Sequence, residues 1–221
     1  MPHTLTAPHP VTPAAPARPA ARRALTGGMV AGPLFMTAGL AQGFGREGFD
    51  FTQNAISQLA LGDAGWIQTV NFVLTGILLI VGAAGLRRTL CGDPGSTWGP
   101  VLIGVFGASF WAAAVFPADA GAGFPAGAPE VTVMSVHGTV HMAAGMIGYL
   151  TLCGAFLVMA RPLAVRGHRG WAIASRFVPV AVLAGFATSA VTVLAFTAGA
   201  GLGLLWLAAV TARLATGPSD R

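Results

Sequence analysis

Few side chains in this sequence can do chemistry, and they gather in three stretches: "FDFTQNAISQLALGDAGW" (49–66), "VFPAD" (115–119) and "VTVMSVHGTVH" (131–141). His137 and His141 are four residues apart, so on a helix they share one face with Cβ atoms about 5–6 Å apart. Two imidazoles at that spacing can share a metal ion. Asp119, just past an apolar run that Pro117 stops, is the candidate third ligand, and Glu130 is a further one. Zinc held by three protein ligands keeps an open position for water and lowers its pKa to about 7. A helix N-terminus also favours neutral imidazoles, which metal ligation requires. The expected metal set is therefore Asp119, His137 and His141, with zinc as the expected cofactor. The expected catalytic set is Ser57, Asn54, Asp119 and His141, in which Ser57 and Asn54 orient substrate or oxyanion. Without a metal, His141 paired with Asp119 is a candidate general base. The plain alternative is structural: histidines four apart occur by chance in helices, and an interfacial imidazole is satisfied by water, a carbonyl or Asp119.

The elements that must position these residues follow from composition. The 221 residues are 54% hydrophobic and 9% charged, with a mean hydropathy of +0.71, against roughly 25% charged in an ordinary soluble domain. This is the composition of an integral membrane protein. Apolar runs at 27–44, 67–86, 98–116, 136–160, 177–196 and 202–214 approach the ~20 residues a span needs. The predicted fold is all-α: a polytopic bundle of six transmembrane helices, with a short amphipathic outer helix after the first span.

All 12 basic residues are arginines, and the net charge is +5. In a membrane protein their placement matters more than their sum, and no nucleic-acid affinity is read from them. With the N-terminus inside, the inner side holds Arg18, Arg22, Arg23, Arg87, Arg88, Arg161, Arg166, Arg169, Arg176, Arg213 and Arg221, and the outer side holds Arg46. Reversal would put nearly every arginine outside. Both termini are thus expected in the cytoplasm and the protein in the plasma membrane. Residues 1–24, rich in proline and alanine and without a secretory-signal core, read as a disordered cytoplasmic tail. Residues 25–215 form the membrane domain and 216–221 a short cytoplasmic tail. Cys91 and Cys153 lie too far apart along the expected bundle to pair and read as free thiols.

If 50–60 is helical, Asp50, Asn54 and Ser57 share one face opposite an apolar stripe, with Gly62 as a stop. Gln68, Asn71 and Thr75 recur at helical spacing in the second span and should turn inward, as interhelical glue or as a pocket wall. Thr188, Ser189 and Thr192 are expected near mid-membrane. Ser135 or Thr132 is the expected cap of the fourth span.

The combination of "FDFTQNAISQLALGDAGWIQTVNFVLTGILLIVGAAGLRR" (49–88), "FPAD" (116–119) and "GTVH" (138–141) resembles the bacterial six-span membrane family catalogued as domain of unknown function 998. The likeness runs from about residue 27 to 214. It implies a six-helix fold and leaves the activity open. At a further remove, the set Ser57, Asp119, His137 and His141 looks like that of membrane-embedded zinc hydrolases such as the alkaline ceramidases.

Two readings of function follow. The first is a metal-dependent hydrolase or related enzyme working at the outer membrane face on a lipid or other amphipathic substrate. The second is a non-catalytic membrane protein that binds a lipid or partner, in which the same polar groups are interhelical hydrogen bonds. A small-solute transporter ranks last, because the inner halves of the spans are apolar. Membrane lipids are the expected surroundings in every case.

Overall fold

A computed structural model of the chain describes residues 19–216. Its elements are α1 (Pro19–Gly45), a short 3-10 helix (Ile56–Ala60), α2 (Gly65–Thr89), α3 (Trp98–Val115), α4 (Val136–Val165), α5 (Arg169–Ala187) and α6 (Val193–Ala215). All 6 α-helices are long and apolar enough to cross a membrane, so the protein is a multi-pass membrane protein. Each helix packs on the next in sequence and α6 returns to α1, closing an up-and-down ring. The short 3-10 helix roofs one end. The other end carries the arginines of the helix termini.

Lipid offers no hydrophobic force to press helices together, so close approach depends on small residues at the contacts. Gly28 of α1 meets Gly82 of α2, where a Cβ on Gly82 would come within 2.6 Å of the Gly28 Cα. Gly185 and Gly199 play the same part between α5 and α6, where a Cβ on Gly185 would lie 3.0 Å from the Gly199 Cα. Gln68, Asn71 and Thr75 do turn inward, and all are buried. Gln68 Oε1 accepts from Gln42 (2.8 Å) and from Asn71 (3.1 Å), and Asn71 also donates to the Phe35 carbonyl (3.2 Å). This is a seam between α1 and α2.

At the arginine end, Arg166 follows α4 and ties three segments. It reaches Asp93 (2.8 Å) and donates to the carbonyls of Thr89 (3.1 Å) and Leu214 (3.2 Å). Cys91 is exposed and Cys153 buried, and both are free thiols.

Three expectations need correction. Helix α1 begins at Pro19, so residues 19–24 are its first turns and not tail, with Ala21 and Leu25 already buried; residues 1–18 and 217–221 lie outside the described ones. The fifth span is Arg169–Ala187 and the sixth starts at Val193, so Thr188, Ser189 and Thr192 form a turn at the roof end and are not mid-membrane. Thr188 and Ser189 donate their hydroxyls back to the carbonyls of Ala184 (2.8 Å) and Phe186 (2.7 Å). They join the Thr188 and Ser189 N–H groups, which reach the same two carbonyls at 3.0 and 3.2 Å and close the helix end. The segment 50–60 is not one amphipathic helix either. Asp50 Oδ1 accepts from the Thr52 N–H and hydroxyl, both at 2.8 Å, folding 50–53 into a turn. A short acidic side chain that bonds its own backbone competes with the helix ladder. Only Ile56–Ala60 coils, and Gly62, at φ +70, closes the segment as expected.

Candidate functional site

The roof is held on every side by hydrogen bonds. Asn54 is fully buried; its Oδ1 accepts from Asp50 N–H (2.9 Å) and its Nδ2 donates to the carbonyls of Gly121 and Ala122, both at 3.4 Å. Gln58 donates to the Asp119 carbonyl (3.2 Å), and Arg46 donates to the carbonyls of Leu59 (3.3 Å) and Leu61 (2.7 Å). On the far side, Val193 N–H donates to the Thr52 carbonyl (3.0 Å). Asn54 thus positions the roof.

Asp119 has an equally definite task. Its carboxylate accepts the Ser135 N–H (2.9 Å) and hydroxyl (2.5 Å), while Ser135 Oγ accepts Gly138 N–H (3.0 Å) as the cap of α4. The Ser135 hydroxyl, then its N–H, holds the Asp119 carboxyl below the usual carboxylate range. Gly138 is where it is because a Cβ there would collide with this carboxylate. His137 is exposed and lies against Phe116, with ring centroids 5.7 Å apart. His141 is buried, and its Nδ1 meets the Phe116 carbonyl at 2.8 Å. A carbonyl only accepts, so Nδ1 carries a proton, and in the neutral form of the ring Nε2 is the lone-pair nitrogen.

These positions do not fit a zinc site. Both Asp119 oxygens are engaged by Ser135, His141 is oriented by a backbone carbonyl in place of Asp119, and His137 faces outward. Among the described residues no three His, Cys, Asp or Glu side chains are grouped so as to hold a metal ion. The Asp119–His141 general-base pair is likewise replaced by His141 and the Phe116 carbonyl.

What the structure does assemble is a cavity of about 350 Å³ beneath the roof, reached by residues of all six helices. That volume lies within the range of small-ligand sites, roughly 300–1,000 Å³. Its walls are mostly apolar. Phe35, Phe72 and Phe110 form one aromatic side, with the Phe35 and Phe110 rings edge-on at 5.2 Å. Of the catalytic and metal residues expected from sequence, Ser57 and His141 line it and Asn54, Asp119 and His137 do not; Ser189, expected mid-membrane, lines it too.

Sequence reasoning missed Thr197, Tyr149 and Ser109. Ser109 and Tyr149 give their hydroxyls to the carbonyls of Phe106 (2.7 Å) and Ala200 (3.4 Å). The Thr197 hydroxyl is buried without a partner. By the 1.5 Å rise per residue, His141 and Thr197 lie about 6–8 Å inside the roof-end starts of α4 and α6, so with Ser57 they make the roof end of the cavity its polar end. In the sequence, Thr197 does not stand out from the other hydroxyls of the apolar runs.

No curated protein matches the chain, and no solved structure does. One family does: its match takes in α1 from Met29 onward, the roof, every later helix and both cavity residues foreseen from sequence. The chain therefore belongs to the family described as protein of unknown function (DUF998), which it matches over residues 29–215.

Proposed function

We propose that the protein binds one small amphipathic molecule in the cavity, its polar group at the roof end and its apolar part among Phe35, Phe110 and Ala200. The observation that carries this reading is the cavity itself, whose mostly apolar wall holds His141, Ser57 and Thr197 together at its roof end. The arginine distribution supports placing the roof on the outer face of a plasma membrane, with both termini in the cytoplasm.

Gly145 supplies the test. It lines the cavity, and a Cβ there meets nothing within 4 Å, so Gly145→Leu starts from open space and puts its side chain where a ligand would lie. Native mass spectrometry of wild-type protein released from bacterial membranes should show a lipid-like adduct at one per chain, lost in Gly145→Leu. Equal adducts in both proteins, or none in wild type, would defeat the proposal.

A second reading, that the bound molecule is also a substrate, rests on the tautomer of His141. Its Nδ1–H is fixed by the Phe116 carbonyl, leaving Nε2 as a base in a cavity that Ser57 shares. Under that reading His141→Gln retains the adduct and loses its conversion. A His141→Gln protein that converts the ligand at the wild-type rate would remove the enzyme reading and leave the binding one.

A further inference from the structure

The route into the cavity can be read from the unequal lengths of its walls. Helix α4 has 30 residues and α5 has 19. At 1.5 Å per residue α4 is longer by about 16 Å. The two are joined at the arginine end by the short link 166–168, so the excess stands at the roof end. There the first turns of α4 have no α5 beside them.

Two sides of the cavity are closed by named contacts. The roof closes the aqueous side: Leu59 is fully buried, the Thr52 carbonyl takes the Val193 N–H at 3.0 Å, and Gln58 and Asn54 bind the α3–α4 loop. Below the gap, the Tyr149 and Phe186 rings meet tilted at 56° with centroids 4.9 Å apart, and Phe186 meets Phe196 at 4.7 Å, forming an aromatic sill between α4, α5 and α6. Between roof and sill, the cavity wall is made of residues that also face outward. Met142 is 61% exposed and Met146 44%, and Ser189 of the α5–α6 turn is exposed. Methionine is unbranched and adaptable, suited to an opening that must admit and then close on an apolar chain.

We propose that the cavity is loaded sideways from the bilayer, through a portal between Met142 and Met146 of α4 and the α5–α6 turn, and that its ligand is a single-chain amphipath such as a fatty acid. This rests on the binding reading above. The polarity of the cavity sets the pose. A chain that slides in beneath the roof keeps its head level with His141, Ser57 and Thr197, the depth at which it travels in its own leaflet. A water-soluble ligand would instead have to breach the roof.

The experiment delivers palmitic acid bearing a terminal diazirine to the full-length protein in phosphatidylcholine vesicles and maps photolabelled peptides against time. Met142→Trp/Met146→Trp narrows the portal with side chains that the membrane face accommodates. Gln58→Ala loosens the roof. The portal variant should slow labelling of cavity peptides roughly tenfold, and the roof variant should label at the wild-type rate. Wild-type rates in the portal variant, a fall in its final level without slowing, or acceleration by Gln58→Ala would each overturn the lateral route. If Gly145→Leu labels in the cavity to the wild-type level, the binding reading itself has failed, and the two failures are distinguished.

Discussion

The carboxylate of Asp119 holds Ser135 by both its N–H and its hydroxyl, at 2.9 and 2.5 Å, so an acid that the sequence offers as a metal ligand is in fact the lock on the start of α4. The hydrogen bonds put its folded-state pKa below the ordinary value of 3.8. Folding therefore favours the charged form: the tie contributes fully above that ordinary value and is lost as pH falls through the depressed one. Asp119→Asn should flatten the acid limb of the stability curve, measured as thermal midpoint against pH in detergent, and differ least from wild type at the lowest pH. Ser135→Ala, which removes the cap itself, should cost about 1 kcal/mol at neutral pH.

Two glycines of α4, seven residues apart, should respond in opposite directions to the same change. At Gly138 a Cβ collides with the Asp119 carboxylate, whereas at Gly145 it meets nothing within 4 Å. Gly138→Ala should break the lock and lower the thermal midpoint. Gly145→Ala should raise stability by up to about 1 kcal/mol through helix propensity alone. Equal effects at the two positions would contradict the geometry.

Arg166 offers a test at the opposite end. Its guanidinium serves Asp93 and the carbonyls of Thr89 and Leu214 together, a task that needs the planar fork of arginine. Arg166→Lys should therefore behave nearly as Arg166→Ala. Each should lower stability by about 1 kcal/mol, since the Asp93 pair is partly exposed and weak by itself. Salt should change the Lys variant less than the wild type.

The membrane spans were legible because twenty-residue apolar runs have few other uses, and the boundary at Pro117 was legible because proline stops a helix. The α5–α6 turn was hidden for an equally physical reason. From Phe177 to Leu214 the sequence has no charge until Arg213 and no proline after Pro179, and Thr188 and Ser189 satisfy the last carbonyls of α5 locally, so the turn needs neither glycine nor water. His141 and Ser57 were found because they are rare polar residues near helix starts. Asp119 and Asn54 were found for the same reason, and their hydrogen bonds tie the start of α4 and the roof, which spacing could not foretell because it does not say whether a carboxylate or amide will be claimed by neighbouring backbone. The cavity left no mark in the sequence. It arises where α5 falls short of α4, a difference in length that only the packed bundle exposes.

Thr197 gives the sharpest test of the binding reading, because stability and affinity should move in opposite directions. Its hydroxyl is buried and unpartnered in a residue of the cavity wall, so a ligand-free protein carries the cost of desolvating it. Thr197→Val keeps the shape and removes that cost, and should stabilise the ligand-free protein by about 1 kcal/mol. If the hydroxyl exists to meet a ligand's polar atom, the same substitution should weaken binding by about 1 kcal/mol, or roughly fivefold, by the value of a net hydrogen bond. A purely structural hydroxyl predicts no change in affinity. Thermal midpoints of delipidated and palmitate-loaded protein, for wild type and Thr197→Val, supply both quantities in one series: the gap between the two midpoints should shrink in the variant while its delipidated midpoint rises.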